Sequence, residues 1–362
     1  MSKRKIERAS TLADRSEIGG EFHWMGLPRA PFVPWPKDAR WYLLGRHALV
    51  ALLQAFPPAS RRLWVPSYFC FAVSDYWRSF IEVISYRAYP QCAEPEWSTL
   101  QPTADDVVIA VNFFGINSGD VWRSWRESNQ CILVEDHSHD PVSGWALRSN
   151  ADYAFASLRK TLPVPDGGIL WSPRGLSLPP SGTDESGAST LKLAAMLWKR
   201  EYLAGNSSLE AKSTYREWQQ SGEHAFDTST ISFATHLSQQ YVSSGVPVEW
   251  RNRRVENARR LLSALNGNRE FQPIFEEWPQ DAAPLGVVLE FDSHKQRDAI
   301  RLRLQENKIY CPVHWPPTAT CEPTARDLAD RLLTLPTDQR YGSQEMTDLS
   351  AALEDASRLR SR

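Results

Sequence analysis

The chain has 362 residues, 42% hydrophobic and 23% charged, with a formal net charge of −2. That length suits one large domain and a smaller one with ample core. The near-neutral balance gives no electrostatic case for a nucleic-acid or membrane-surface partner, and no apolar run approaches the ~20 residues that span a bilayer.

Residues 1–40 read as an N-terminal arm, basic at "MSKRKIERAS" and Pro-rich at "GLPRAPFVPWP". No apolar stretch follows the basic start, so no signal peptide is expected. From 41 to about 215 short β-rich runs alternate with helical patterns. The runs predict strands at 63–67, 83–89, 107–113, 131–135, 153–157 and 168–171, and helices at 46–55, 71–80 and 120–127. Nearly continuous apolar runs such as "VVIAVNFF" are what a sheet buried on both faces requires. Their alternation with helices predicts an α/β fold with a mostly parallel central sheet.

"GLSLPPSGTDESGAS" (175–189) reads as an exposed loop, followed by helices at 190–203 and 249–265. The second of these is stopped by Asn266-Gly267. Its run "RNRRVENARR" reads as a solvated helix face. A smaller α+β domain is expected over 216–362, with strands at 286–292 and 307–315 and helices at 294–306 and 342–359. Five scattered cysteines without a CxxC fit reduced thiols, hence a cytoplasmic protein.

"VEDHSHD" closes one predicted strand and raises three chemistries. Asp136, His137, His139 and Asp140 are possible metal ligands. In extended chain, however, 137 and 139 share one face while 136 and 140 share the other, so convergence needs a tight turn. No Gly-x-Ser-x-Gly elbow is present for a hydrolytic nucleophile. The third reading is a cofactor holder. A carboxylate at the C-terminal end of a buried parallel strand points into the crevice where open α/β sheets bind ligands. Asp136 there can pair with a protonated ring nitrogen, and Lys160, ending the next strand, can form a Schiff base. The plain alternative makes Asp136 a loop cap and Lys160 a solvated residue. His314 either lines a substrate mouth or is structural. Arg340 is a candidate for a substrate carboxylate or phosphate.

Several stretches, in order, resemble the sugar-aminotransferase family named DegT/DnrJ/EryC1/StrS, fold-type-I enzymes of pyridoxal phosphate. They are "LLGRHALVALL", "WVPSYFCFAV", "VVIAVNFFGI", Glu135-Asp136 with His139, "NADYAFASLRK" with Gly167-Gly168, "RDAIRLRLQENKIYCPVHWP" and "RLLTLPTDQRYGSQEMTDL". The resemblance covers most of the chain. It implies pyridoxal 5'-phosphate bound covalently to Lys160, with Asp136 on the pyridine nitrogen and His139 at the phenolic oxygen. Gly45, Arg46 and Ser157 would hold the phosphate, and an aromatic ring from Phe69 or Phe71, flanking Cys70, would cover the cofactor. It further implies a homodimeric aminotransferase taking an amino-acid donor and a keto sugar or other small ketone. Arg46 departs from the family's Ser-Gly-Thr helix start, and "FDTSTISFATHLSQQ" lacks an Asn that reaches the neighbouring subunit's phosphate in many relatives. These departures leave two other outcomes open: an elimination or replacement enzyme, or a catalytically silent relative.

Overall fold

The computed structural model describes residues 15–30, 32–56 and 61–358. Of the N-terminal arm, residues 1–14 and 31 lie outside the described residues. The chain opens with β1 (Ile18–Gly19), β2 (Arg40–Tyr42) and α1 (Gly45–Ala55). It continues through β3 (Arg62–Pro66), α2 (Phe71–Trp77), β4 (Glu82–Tyr86), β5 (Val107–Val111), α3 (Asp120–Ser128) and β6 (Ile132–Asp136). The short α4 (Gly144–Leu147) precedes β7 (Tyr153–Ser157) and β8 (Gly168–Trp171). A helical hairpin, α5 (Gly187–Leu203) and α6 (Ala211–Asp227), then leads to α7 (His236–Ser243) and α8 (Val248–Leu265). The C-terminal part holds β9 (Gln272–Pro273), β10 (Gly286–Glu290), α9 (His294–Glu306), β11 (Ile309–Tyr310), α10 (Pro323–Arg331), β12 (Leu332–Pro336) and α11 (Ser343–Arg358).

The central sheet has the order β2-β8-β7-β6-β5-β3-β4. Strands β7, β6, β5, β3 and β4 pair in parallel, while β8 runs against both of its neighbours. Every residue of β5 ("VVIAV") and of β8 ("GILW") is buried, the burial that its unbroken apolar sequence calls for. The parallel strands reach one another through helices, so their C-terminal ends open on one edge of the sheet, where Asp136 and Ser157 lie. The C-terminal part has its own antiparallel sheet, β12-β10-β9, covered by α8, α9 and α11 through Leu261, Ile300 and Leu349. β1 pairs in parallel with β11, so the N-terminal segment is anchored on the C-terminal part.

The structure departs from the sequence reading at several points. Residue 215, the expected domain boundary, falls inside the continuous helix α6. The apolar run after β5 leaves the sheet at Val111, because Phe113–Gly115 turns with positive φ at Phe114 and Gly115. Only Ile309–Tyr310 of the expected strand at 307–315 is extended in a ladder. "RNRRVENARR" is solvated on one face, where Asn252, Arg253, Glu256, Arg259 and Arg260 are exposed, but its other face is engaged. Arg251 pairs with Asp140 at 2.7 Å, and buried Arg254 donates to the Thr161 carbonyl (2.6 Å) and Gln339 (2.8 Å).

One glycine sets how closely α1 approaches the sheet. A Cβ on Gly168 would lie 2.3 Å from the Leu44 carbonyl carbon and oxygen, at the entry to α1. Gly168→Ala should therefore force backbone apart and destabilise the protein by about 1–3 kcal/mol, read from urea unfolding. An unchanged midpoint would show that this contact relaxes freely.

Candidate active site

The site is built at the end of β6 and β7. In β6 successive side chains alternate faces, so Asp136 points one way while Glu135 and His137 point the other. Glu135 and His137 are fully buried and bond each other at 2.9 Å. His137 is therefore turned away from His139, and "EDHSHD" does not converge as a ligand set; among the described residues no group of three such side chains could hold a metal ion. Asp136 is buried, and its Oδ1 accepts from the Ser138 N–H at 2.8 Å. Ser138 Oγ in turn accepts from the Ser157 N–H at 2.8 Å, tying the two strand ends together.

Beyond Ser157 the chain makes a single 3₁₀ turn, Leu158–Lys160, which brings Lys160 Nζ to 3.4 Å from His139 Nε2. His139 Nδ1 accepts the Phe114 N–H at 2.8 Å. A neutral imidazole that accepts at Nδ1 carries its proton on Nε2, the nitrogen facing Lys160. Burial, helped by the Lys160 charge and His314, holds the His139 pKa well below the usual histidine value. The ring is thus neutral, with an Nε2–H to offer. It lies nearly parallel to Phe114 (5.5 Å) and Trp315 (5.6 Å), and Lys160 Nζ sits 5.5 Å over the Trp315 ring.

Gly45 opens α1 against Ser157, where an added Cβ would meet Ser157 Cβ at 3.1 Å. The N–H groups of a first helical turn have no intrahelical partner and favour an anion. The Arg46 side chain is engaged elsewhere: its guanidinium bonds Asp227 (3.2 Å) and the Phe226 carbonyl (2.6 Å). Phe69 is buried on Trp77, with centroids 5.3 Å apart. The group electrostatically coupled to both Lys160 and Asp136 is Cys70, whose thiol burial pushes up against the opposing pull of the Lys160 charge.

Lys160 also lines a cleft of about 650 Å³ between the N-terminal segment, α5, α6 and the C-terminal part. His314 lines it, with Nδ1 2.8 Å from Thr334 Oγ1; burial and the Lys160 charge lower its pKa to about 3. Arg340 lines it too, but its guanidinium is clamped by Asp338 (2.7 and 2.8 Å) and by the Gly20 and Glu21 carbonyls. Trp315, which the sequence reading did not single out, stands beside the lysine. The ion pairs Lys192–Glu223 and Lys199–Glu17, also at this cleft, gave no signal, because nothing in the sequence brings these distant residues together. No helix among the described residues is long and apolar enough to cross a membrane.

No family model and no curated protein sequence matches the chain. Solved structures do resemble its fold. A Streptococcus pneumoniae protein described as a sugar aminotransferase, Spr1654, in its PMP form, superposes with a TM-score of 0.60 at 15% identity, covering 91% of this chain and 89% of its own. DesV of S. venezuelae, in complex with a ketimine intermediate, gives 0.55 at 17% identity over 88% and 84%. Serine palmitoyltransferase of Sphingomonas wittichii gives 0.54 at 13% over 89% and 73%. At these identities the likeness establishes the fold, that of fold-type-I enzymes.

The depressed histidines predict an acid sensitivity. His314 is neutral in the folded chain, whereas in the unfolded chain it protonates below about 6.5. Its contribution is therefore whole above that pH and is lost as pH falls toward about 3. Between pH 6.5 and 5 this source removes about 2 kcal/mol. His314→Gln should flatten the urea-measured slope of stability by one proton over that range, and a slope identical to wild type would refute the assignment.

Proposed function

We propose that the chain is a pyridoxal-phosphate-dependent aminotransferase that moves an amino group from an amino acid to a keto sugar or other small ketone. The observation that carries this reading is Lys160 Nζ, 3.4 Å from a neutral His139 and one strand away from buried Asp136 at the mouth of a parallel sheet. The named activities of the similar structures support it. Membership of the DegT/DnrJ/EryC1/StrS family and a two-fold homodimer belong to the same proposal.

The residues present fit the cofactor. Asp136 accepts one protein N–H at Oδ1, and among the described residues Oδ2 accepts none, leaving it for a ring N–H. The Nε2–H of His139 suits a phenolic oxygen. The backbone N–H groups of Gly45 and Arg46, with the Ser157 hydroxyl beside them, suit a phosphate; the Arg46 side chain is committed elsewhere. Bound there, pyridoxal phosphate supplies an electron-withdrawing ring that acidifies the C–H of an attached amino acid. Asp136, which accepts the Ser138 N–H, would hold a proton on the ring nitrogen. Lys160 Nζ would hold the cofactor and, as a free amine, carry a proton to and from the substrate. Trp315 and Phe114 screen this proton transfer from water.

Borohydride treatment of the protein with pyridoxal phosphate should add the cofactor mass to the Lys160 peptide alone, and labelling of another lysine would reassign the site. Asp136→Asn should keep the cofactor bound and lower kcat by at least ~100-fold, the size of a lost charged hydrogen bond. Reaction type is read by mixing the holoprotein with one amino acid at a time. A single stoichiometric shift of absorbance from ~420 to ~330 nm is expected for transamination. Continuous ammonia release would instead establish elimination.

A further inference from the structure

Phe69 and Phe71, the phenyl rings beside the end of β3, are committed to the core. Phe69 stacks on Trp77 of α2 at 5.3 Å, and Phe71, opening α2, is 3% exposed with its ring 6.4 Å from Tyr68, edge to face. Between them stands Cys70, small and partly buried, the side chain electrostatically coupled to both Lys160 and Asp136. An aromatic ring reaches the lysine from far along the chain instead. Trp315 lies between β11 and α10, yet its indole packs into the core of the central sheet. It stands 5.6 Å from Tyr68, 6.1 Å from Phe69 and, nearly parallel, 5.6 Å from His139. Among the described residues it is the ring over which Lys160 Nζ sits, 5.5 Å from the centroid. Its backbone is fastened on two sides. The Tyr68 hydroxyl donates to the His314 carbonyl, and His314 Nδ1 lies 2.8 Å from Thr334 Oγ1.

We propose that Trp315 is the ring that covers the cofactor at Lys160, and that the small side chain of Cys70 leaves it room to do so. The proposal rests on the reading of Lys160 as the lysine that carries the cofactor. Aromatic rings stack with centroids about 4.5–7 Å apart. A flat ring joined to Nζ therefore falls within reach of the indole beneath that atom. A phenyl group at position 70 would press into the same space, whereas a thiol does not. The cover thus comes from the C-terminal part, and a bound cofactor ties that part to the central sheet.

The test is calorimetric titration with pyridoxamine phosphate, which has the ring and phosphate of the cofactor but no aldehyde to join a lysine. Trp315→Ala should weaken binding by at least ~10-fold, and Trp315→Phe by less than ~3-fold, with unchanged circular dichroism. Cys70→Phe alone should weaken binding by crowding. Added to Trp315→Ala it should instead improve binding by at least ~3-fold, a reversal of sign that general loss of structure does not produce. In wild type, saturating pyridoxamine phosphate should slow N-ethylmaleimide modification of Cys70 by at least ~10-fold and leave exposed Cys92 unaffected. Affinity of Trp315→Ala within ~2-fold of wild type, a double variant no better than Trp315→Ala, or unprotected Cys70 overturns the cover. Should Trp315→Ala lose its circular dichroism, Trp315→Phe and the labelling of wild type decide. A borohydride adduct at Lys160 alongside any overturning result leaves the cofactor reading standing and removes Trp315. The expected results without that adduct keep Trp315 as the cover and remove Lys160.

Discussion

The register of β6 between β5 and β7 is the constraint from which the site follows. Val111, Asp136 and Phe155 stand abreast across these three strands. Side chains alternate faces along a strand, so a slip of one residue would exchange Asp136 with the buried Glu135–His137 pair. That pair is itself a barrier to slippage. Both side chains are sealed from solvent and bond each other, and moving either into the crevice would break that buried polar contact. The same register carries Ser138 and Ser157 into contact and so fixes where the turn to Lys160 begins.

Elements distant in sequence then hold that turn. Arg254, deep in α8, ties the carbonyl of Thr161 to Gln339, and Gln339 Nε2 donates to the same carbonyl at 3.0 Å. Asn257, one turn on, bonds the Thr337, Asp338 and Tyr341 carbonyls. Arg251 holds Asp140 directly after His139. A buried guanidinium stripped of one partner is left as an uncompensated charge, which typically costs about 3–5 kcal/mol. α8 is thereby both the cover of the C-terminal sheet and the clamp on two loops at the C-terminal edge of the central sheet.

Much of this was legible in the sequence where burial acts on every residue of a segment. β7 and β8 begin and end where their apolar runs do, and the ends of α1 and α9 differ from the pattern by one residue or none. Asp136 and Lys160 stood out through the ordered family resemblance, since each alone also reads as a loop cap or a solvated residue. Legibility failed where a partner lies far along the chain. Arg46 and Arg340 look like free anion clamps until Asp227 is seen beside the first and the Gly20 and Glu21 carbonyls beside the second. Arg251 and Arg254 of α8 fit a solvated pattern because their acceptors, Asp140 and the Thr161 carbonyl, come from distant segments of the chain. α6 was invisible for a related reason: only Ala211, Tyr215, Gly222 and Phe226 are buried, a stripe too thin to declare a helix of its length.

The division of charge around the cleft explains why the N-terminal segment belongs to the site. Lys199 and Glu17 are each only 3% exposed at the side chain, so neither keeps its ionic hydration. Burial lowers the Lys199 pKa while Glu17 opposes it; the carboxylate of Glu17, favoured toward the uncharged form by burial, is brought below its usual range by Lys199 and Lys212. Each group is thus ionised because the other is there. β1 pairing with β11 and the Tyr341 hydroxyl on the Gly19 N–H (2.7 Å) lock the same segment to the C-terminal part. The segment therefore neutralises α5 and α6 on one side and is pinned by the C-terminal part on the other.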